Sequence, residues 1–196
     1  PQYLRLKIQS CLTVAWTFRV PIFQKTSPAK LVAGTLYDVL STRVTDYTYV
    51  DFCAGAGGPT PFIEQVLNAK LSSRQPNSPA APTGRIPKSP GHAVNGISSG
   101  AVKFVLTDIH PHIPDWTEAA KRSENLTFIA KSVDATNAPN DLIDDNGKKV
   151  FRLFNLAFHH FEDPLGKAIL KNTMETADGF GYSLQYRRMN NLLTVI

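Results

Sequence analysis

At 196 residues and 42% apolar composition, the chain is long enough for one sizeable core and too short for two ordinary domains. Its two cysteines, Cys11 and Cys53, exclude a disulfide framework and a cysteine zinc set, so a reduced, cytoplasmic setting and no bound metal are expected. The net charge of +5 is unevenly spread: residues 1–37 hold five basic side chains and residues 70–102 hold four, neither stretch contains an acid, and the rest of the chain carries −4. A nucleic-acid site asks instead for a basic stripe with stacking aromatics on a folded face, which argues against RNA or DNA as partner.

In chain order, Leu4, Ile8, Cys11, Leu12 and Ala15 recur at helical spacing and predict a helix over residues 2–19. The apolar run there, CLTVAWTFRVPIF, is broken by Arg19 and Pro21 and is shorter than the roughly 20 residues that cross a bilayer, so no membrane span is expected. The sequence opens on Pro1, which leaves open a preceding segment and any targeting signal within it. A second helix is predicted over residues 28–41, with Ser27 as cap, Pro28 at the first helical position and Leu31, Leu36, Val39 and Leu40 on its apolar face. Residues 47–196 therefore read as the domain proper, and residues 1–46 as leading helices that pack on it or cap it.

YTYVDFC, residues 47–53, is rich in β-branched and aromatic residues and predicts a strand. It runs into a turn containing Gly55, Gly57 and Gly58, then into a predicted helix over residues 59–69. Glycines there admit backbone angles that other residues resist and let a ligand approach the main chain. Residues 70–101, crowded with Ser, Pro, Gly and Asn, read as a flexible insert. Beyond it come a strand over 102–108, a helix over 114–123, a strand over 126–134, a short helical turn near 139–144, a strand over 150–158, a helix over 163–176 and a strand over 180–187. Strands alternating with helices imply a Rossmann-like α/β fold, a mostly parallel sheet covered on both faces.

In such sheets ligands bind beyond the carboxyl ends of the strands, and the chemistry-bearing residues fall there. Asp51, Asp108 and Asp134 end the first three strands, and Asn155, Phe158, His159 and His160 end the fourth. Asp51 and Asp108 are 57 positions apart, of which the insert takes 32, leaving the 25 of an ordinary strand-helix-strand span. An acid after the second strand suits a ribose diol, because a carboxylate can accept from both hydroxyls, and an acid after the third suits an exocyclic amine. No Lys or Arg stands beside the glycine turn to hold a phosphate, which favours a cationic nucleoside. The dinucleotide fingerprint G-x-G-x-x-G is broken because its third glycine is Thr60.

With these residues in view, the chain resembles class I S-adenosylmethionine-dependent methyltransferases over roughly residues 47–186. Asp51-Phe-Cys-Ala-Gly55-Ala-Gly57 is similar to the family's D-x-G-x-G-x-G, with Cys53 in place of the first glycine. VLTDIHPH resembles its second motif, SVDAT its third and LFNLAFHHFED its fourth, and CAGAGGPTP with FHHF resembles an uncharacterised subgroup. The resemblance implies cofactor contacts by Asp51, Cys53, Ala54, Gly55, Gly57, Asp108, Ile109, Asp134, Ala135 and Asn155, S-adenosyl-L-methionine as cofactor, and SN2 transfer of a methyl group to a small-molecule acceptor. His159 and His160 are the acid-base candidates, since imidazole titrates near neutrality; as adjacent strand residues they should point to opposite faces. The family sheet has seven strands and five are countable here, so a C-terminally incomplete sheet is expected. The competing readings are a non-catalytic module of the same fold and a nicotinamide-dependent oxidoreductase.

Overall fold

The structure, a computed structural model, describes residues 27–73, 100–143, 147–185 and 191–195. The predicted helix over 2–19 and most of the insert lie outside the described residues. Helix α1, Pro28–Leu40, starts with proline where a missing N–H costs nothing. It buries Ala29, Val32, Ala33, Leu36, Tyr37 and Leu40. Their 3-1-3-1-3 spacing is a complete helical stripe. Leu31 and Val39, expected on that face, stand off it and are exposed. The buried stripe instead takes in Ala29, Val32, Ala33 and Tyr37 beside Leu36 and Leu40.

A 3-10 turn, Ser41–Asp46, leads into strand β1, Tyr47–Asp51. The remaining elements are helix α2, Thr60–Ser72, strand β2, Phe104–Leu106, helix α3, Ile113–Ala120, strand β3, Leu126–Phe128, strand β4, Lys149–Asn155, helix α4, Asp163–Thr176, strand β5, Gly179–Gln185, and strand β6, Asn191–Val195. The first residues of the expected insert, 70–72, belong to α2, whose last turn runs past Lys70. No helical turn forms near 139–144 among the described residues; isolated turns stand there instead.

The sheet order is β3-β2-β1-β4-β5-β6. Strands β1 to β5 are mutually parallel, as alternation with helices requires. β6 adds a sixth strand, antiparallel to β5, with Gly181 opposite Val195 and Gln185 opposite Asn191. Five strands were countable in the sequence, and all five are present; the sixth comes from the apolar NNLLTVI stretch.

Because successive side chains of a strand point to opposite faces, each central strand feeds two cores. Tyr47, Tyr49, Phe104, Leu106, Phe151 and Leu153 pack with α1, α2 and Trp116 of α3. Tyr49 stacks on Phe104 with ring centroids 4.8 Å apart. On the other face Val50, Phe52, Val105 and Phe154 pack with Val133, Ala135 and Ile169 of α4. All five residues of β1 are buried, which puts β1 at the centre of the molecule and its carboxyl end under whatever binds above it.

Candidate functional site

The strand order reverses between β1 and β4, so the crevice beyond Asp51 and Asn155 is the topological switch point. Between β1 and α2 the chain turns through Cys53 (φ 61°), Gly55 (φ 53°), Gly57 (φ 99°) and Gly58 (φ 49°). Glycine takes such angles freely; cysteine pays roughly 1–2 kcal/mol for them. Cys53 thus stands at the first glycine position of a D-x-G-x-G-x-G pattern and adopts a backbone angle that glycine takes freely. At Gly57 a Cβ would meet Leu106, Pro61 and Trp116 side chains at 3.7–3.8 Å. Its bare side therefore faces the chain's own core, and its contribution to the turn is its backbone angle.

The turn is held to its neighbours through Gly55. The Gly55 N–H donates to Asp108 Oδ2 at 2.8 Å, and the Gly55 carbonyl accepts from Trp116 Nε1 at 2.8 Å. Asp108 Oδ1 accepts from the His110 N–H at 2.8 Å. Each carboxylate oxygen keeps a lone pair, so Asp108 fixes the turn and still has capacity for a ligand hydroxyl. Asp134 lies on the same rim. The Val133 N–H donates to the Asp108 carbonyl at 3.0 Å, and Ser132 Oγ donates to the Ile109 carbonyl at 2.7 Å, stitching the segment after β3 to the end of β2. Asp134 Oδ1 accepts from the backbone and the hydroxyl of Thr136, both at 2.8 Å, and the residue is exposed. Ile109 is exposed as well, whereas Ala54 and Ala135 are buried.

Beneath the turn runs a buried polar chain. Ser183 Oγ donates to Asn155 Oδ1 at 2.9 Å, Asn155 Nδ2 donates to Thr60 Oγ1 at 3.0 Å, and Thr60 Oγ1 donates to Asp51 Oδ2. All four residues are buried, Asp51 to 1% exposure, and Asp51 Oδ1 has no hydrogen-bond partner. Burial pushes the Asp51 carboxyl up to about 7, against the opposing pull of the Thr60 and Asn155 bonds and with a further rise from the Asp108 charge. Burial, with the charges of Asp108, Asp51 and Asp134, also pushes the half-buried Cys53 thiol up to about 12. No ion pair between described residues involves any of these three acids.

The raised Asp51 value has a stability consequence. Between its ordinary value of 3.8 and about 7 the folded chain holds a proton that the unfolded chain has released. Stability from this group is therefore complete below the ordinary value and lost as pH rises through about 7, at up to ~1.4 kcal/mol per pH unit. Urea unfolding at about pH 5 and about pH 7 should show this decline in the native chain and a flatter profile in Asp51→Asn. Equal slopes in the two proteins would contradict the assignment.

At the end of β4, Leu156 takes φ 58° and stops the strand three residues before the expected end. His159 and His160 consequently sit in a 3-10 turn, Phe158–His160, and not on opposite faces of a strand. Both are exposed, with ring centroids 3.9 Å apart. Partial burial, and then the neighbouring His160, hold the His159 imidazole below its ordinary range. Phe158 packs inward on Phe154, Phe161 and Tyr182.

Of the expected site residues, the structure gathers Asp51, Cys53, Asp108 and Asp134 in one region, with Gly55 bonded to Asp108. Asp51 and Asn155 lie below the surface, inside the buried chain. Thr60, Ser183 and Trp116 were missed. In the sequence Thr60 is a third glycine lost from a fingerprint; in the fold it is the hydroxyl that joins Asn155 to Asp51. No group of three or more His, Cys, Asp or Glu among the described residues is placed to hold a metal, and no helix among them is long and apolar enough to cross a membrane.

No protein-family model matches the chain, and no curated protein matches it in sequence. Among solved structures it is similar to magnesium protoporphyrin IX methyltransferase (ChlM) from Synechocystis PCC 6803 with bound SAM, at 12% identity and TM-score 0.49, over 97% of this chain and 78% of that one. It is also similar to the methyltransferase domain of bacterial CtHen1-CN, at 11% identity and TM-score 0.43, over 79% of this chain and 65% of that one. A third similar structure is the DhpI-SAM-HEP complex, at 12% identity and TM-score 0.41, over 93% of this chain and 66% of that one.

Proposed function

We propose that the chain binds S-adenosyl-L-methionine at the carboxyl edge of β1, β2 and β3 and transfers its methyl group to a small-molecule acceptor. The observation that carries this reading is the bonding of Asp108 to the Gly55 turn and of the segment that leads to Asp134 to the end of β2, with no lysine or arginine paired to Asp51, Asp108 or Asp134 among the described residues. Three acids without a counter-charge repel a dinucleotide's pyrophosphate and favour a cation. The donor set fits the adenosyl cofactor: Asp108 has lone pairs for the ribose hydroxyls, Asp134 has an oxygen for an amine, and the turn at Gly55 supplies main chain at close approach. When bound, the cofactor supplies an electrophilic sulfonium methyl, so the protein's share is alignment and exclusion of water.

His159 and His160 stand at the adjoining end of β4, where a neutral imidazole can take a proton from an acceptor hydroxyl or amine. One of the two acts there as the base. Calorimetric titration tests the reading: saturable heat with S-adenosylmethionine and with its demethylated product, and none with NADH, is expected. Heat with NADH alone would favour an oxidoreductase, and heat with none of them a non-catalytic module of the same fold.

A further inference from the structure

Asp51 is a buried carboxyl with no described cation to partner its ionised form. It is fully buried at the carboxyl end of β1, Oδ1 is unsatisfied, and the donors beneath it all point its way, from Ser183 through Asn155 and Thr60 to Oδ2. Around it, α2 contributes Thr60, β4 contributes Asn155 and β5 contributes Ser183, none of them titrating near neutrality. The titratable groups facing it are Asp108 from the end of β2 and the Cys53 thiol in its own turn. Both oppose a second negative charge or are neutral, and no described cation pairs with it. A buried carboxylate in such surroundings is costly until a positive charge arrives.

Resting on the cofactor reading above, we propose that binding of the adenosyl sulfonium cation at this rim displaces one proton from Asp51, so that affinity for the cofactor is regulated by pH through a residue the ligand need not touch. The balance is simple: the cation enters, the Asp51 O–H bond breaks, the proton leaves to solvent and the carboxylate remains as counter-charge. Thr60, Asn155 and Ser183 are positioning residues: the Thr60 hydroxyl donates to Oδ2 and stabilises the ionised form, and Asn155, held by Ser183, donates to that hydroxyl and aims it. The raised carboxyl value found above is consistent with a group that changes charge near neutrality.

The test is a titration of the full chain with S-adenosylmethionine in two buffers of different ionisation enthalpy, from about pH 5.5 to about pH 8.5. The apparent affinity should rise about tenfold per pH unit on the acid side of neutrality and level off above it, with proton release falling towards zero in the alkaline range. Asp51→Asn should bind with neither the slope nor the release. If that variant does not fold, difference infrared spectroscopy of the native chain gives the same readout: the carboxylic-acid carbonyl band should be lost on addition of the cofactor at about pH 6. Binding without proton release, an unchanged carbonyl band, or release that persists in Asp51→Asn each overturns the proposal while leaving the cofactor reading intact. An absence of binding at every pH overturns both.

Discussion

Asp108→Ala is expected to weaken S-adenosylmethionine binding by about 100-fold, close to ~3 kcal/mol. Two losses combine. The first is the charge-assisted acceptor offered to a ligand hydroxyl, worth roughly 1.5–3 kcal/mol. The second is internal, because Asp108 Oδ2 holds the Gly55 N–H at 2.8 Å and Oδ1 holds the His110 N–H at 2.8 Å. Without the carboxylate the glycine turn keeps its Ala54 N–H bond to the Thr107 carbonyl but loses the bond at Gly55, and the main chain presented to the cofactor is less firmly fixed. Asp108→Asn keeps one acceptor oxygen and the side-chain shape, so an intermediate loss is expected. Calorimetry on both variants, with circular dichroism to establish folding, checks the ordering. Native affinity in Asp108→Ala would remove the ribose assignment.

Trp116→Ala is expected to lower unfolding stability by ~3–5 kcal/mol, the range for an aromatic side chain deleted from a core. Trp116 is fully buried, packs against Phe128 with ring centroids 5.8 Å apart, and lies within 4 Å of a Cβ built on Gly57. Its indole N–H is also the donor to the Gly55 carbonyl. Trp116→Phe separates the two roles: most of the packing stays, the carbonyl loses its donor, and a smaller cost of about 1–3 kcal/mol should appear. Urea midpoints measure both. A Trp116→Phe protein that loses cofactor affinity out of proportion to its stability would show that the Gly55 clamp, rather than core volume, is what the site depends on.

The architecture was legible because each strand and helix carries its own period. The β-branched and aromatic run at 47–51, the helix that starts at Pro28 and the helix over 163–176 can be read without knowledge of what they touch, although Ser27 makes no side-chain capping bond. Strand ends were less legible. Nothing about leucine announces that residue 156 will take a positive φ, yet that angle ends β4 early and places both histidines in one turn. β6 was hidden for a related reason: a short apolar run has no periodicity that distinguishes an edge strand from a tail.

The rim of acids was legible because the carboxyl ends of parallel strands collect ligand residues whatever the partners turn out to be. The buried chain beneath it was not. Asn155 and Thr60 are 95 positions apart and Ser183 and Asn155 are 28 apart, so their bonds exist only once β1, β4 and β5 lie side by side. Thr60 illustrates the difference most plainly: compared with a glycine motif it looked like a defect, whereas in three dimensions it is the hydroxyl between two buried polar groups. In the sequence Trp116 is one more residue of a helix, and its indole N–H gains its acceptor only where α3 packs beside the turn.

The most direct measurement is a crystal structure of the chain soaked with S-adenosylmethionine. Density for the ribose against Asp108, for the adenine along Asp134 and Ala135, and for the sulfonium on the side of Cys53 is the result expected. Density for the cofactor elsewhere, or a rim left unchanged at saturating ligand, would contradict the account.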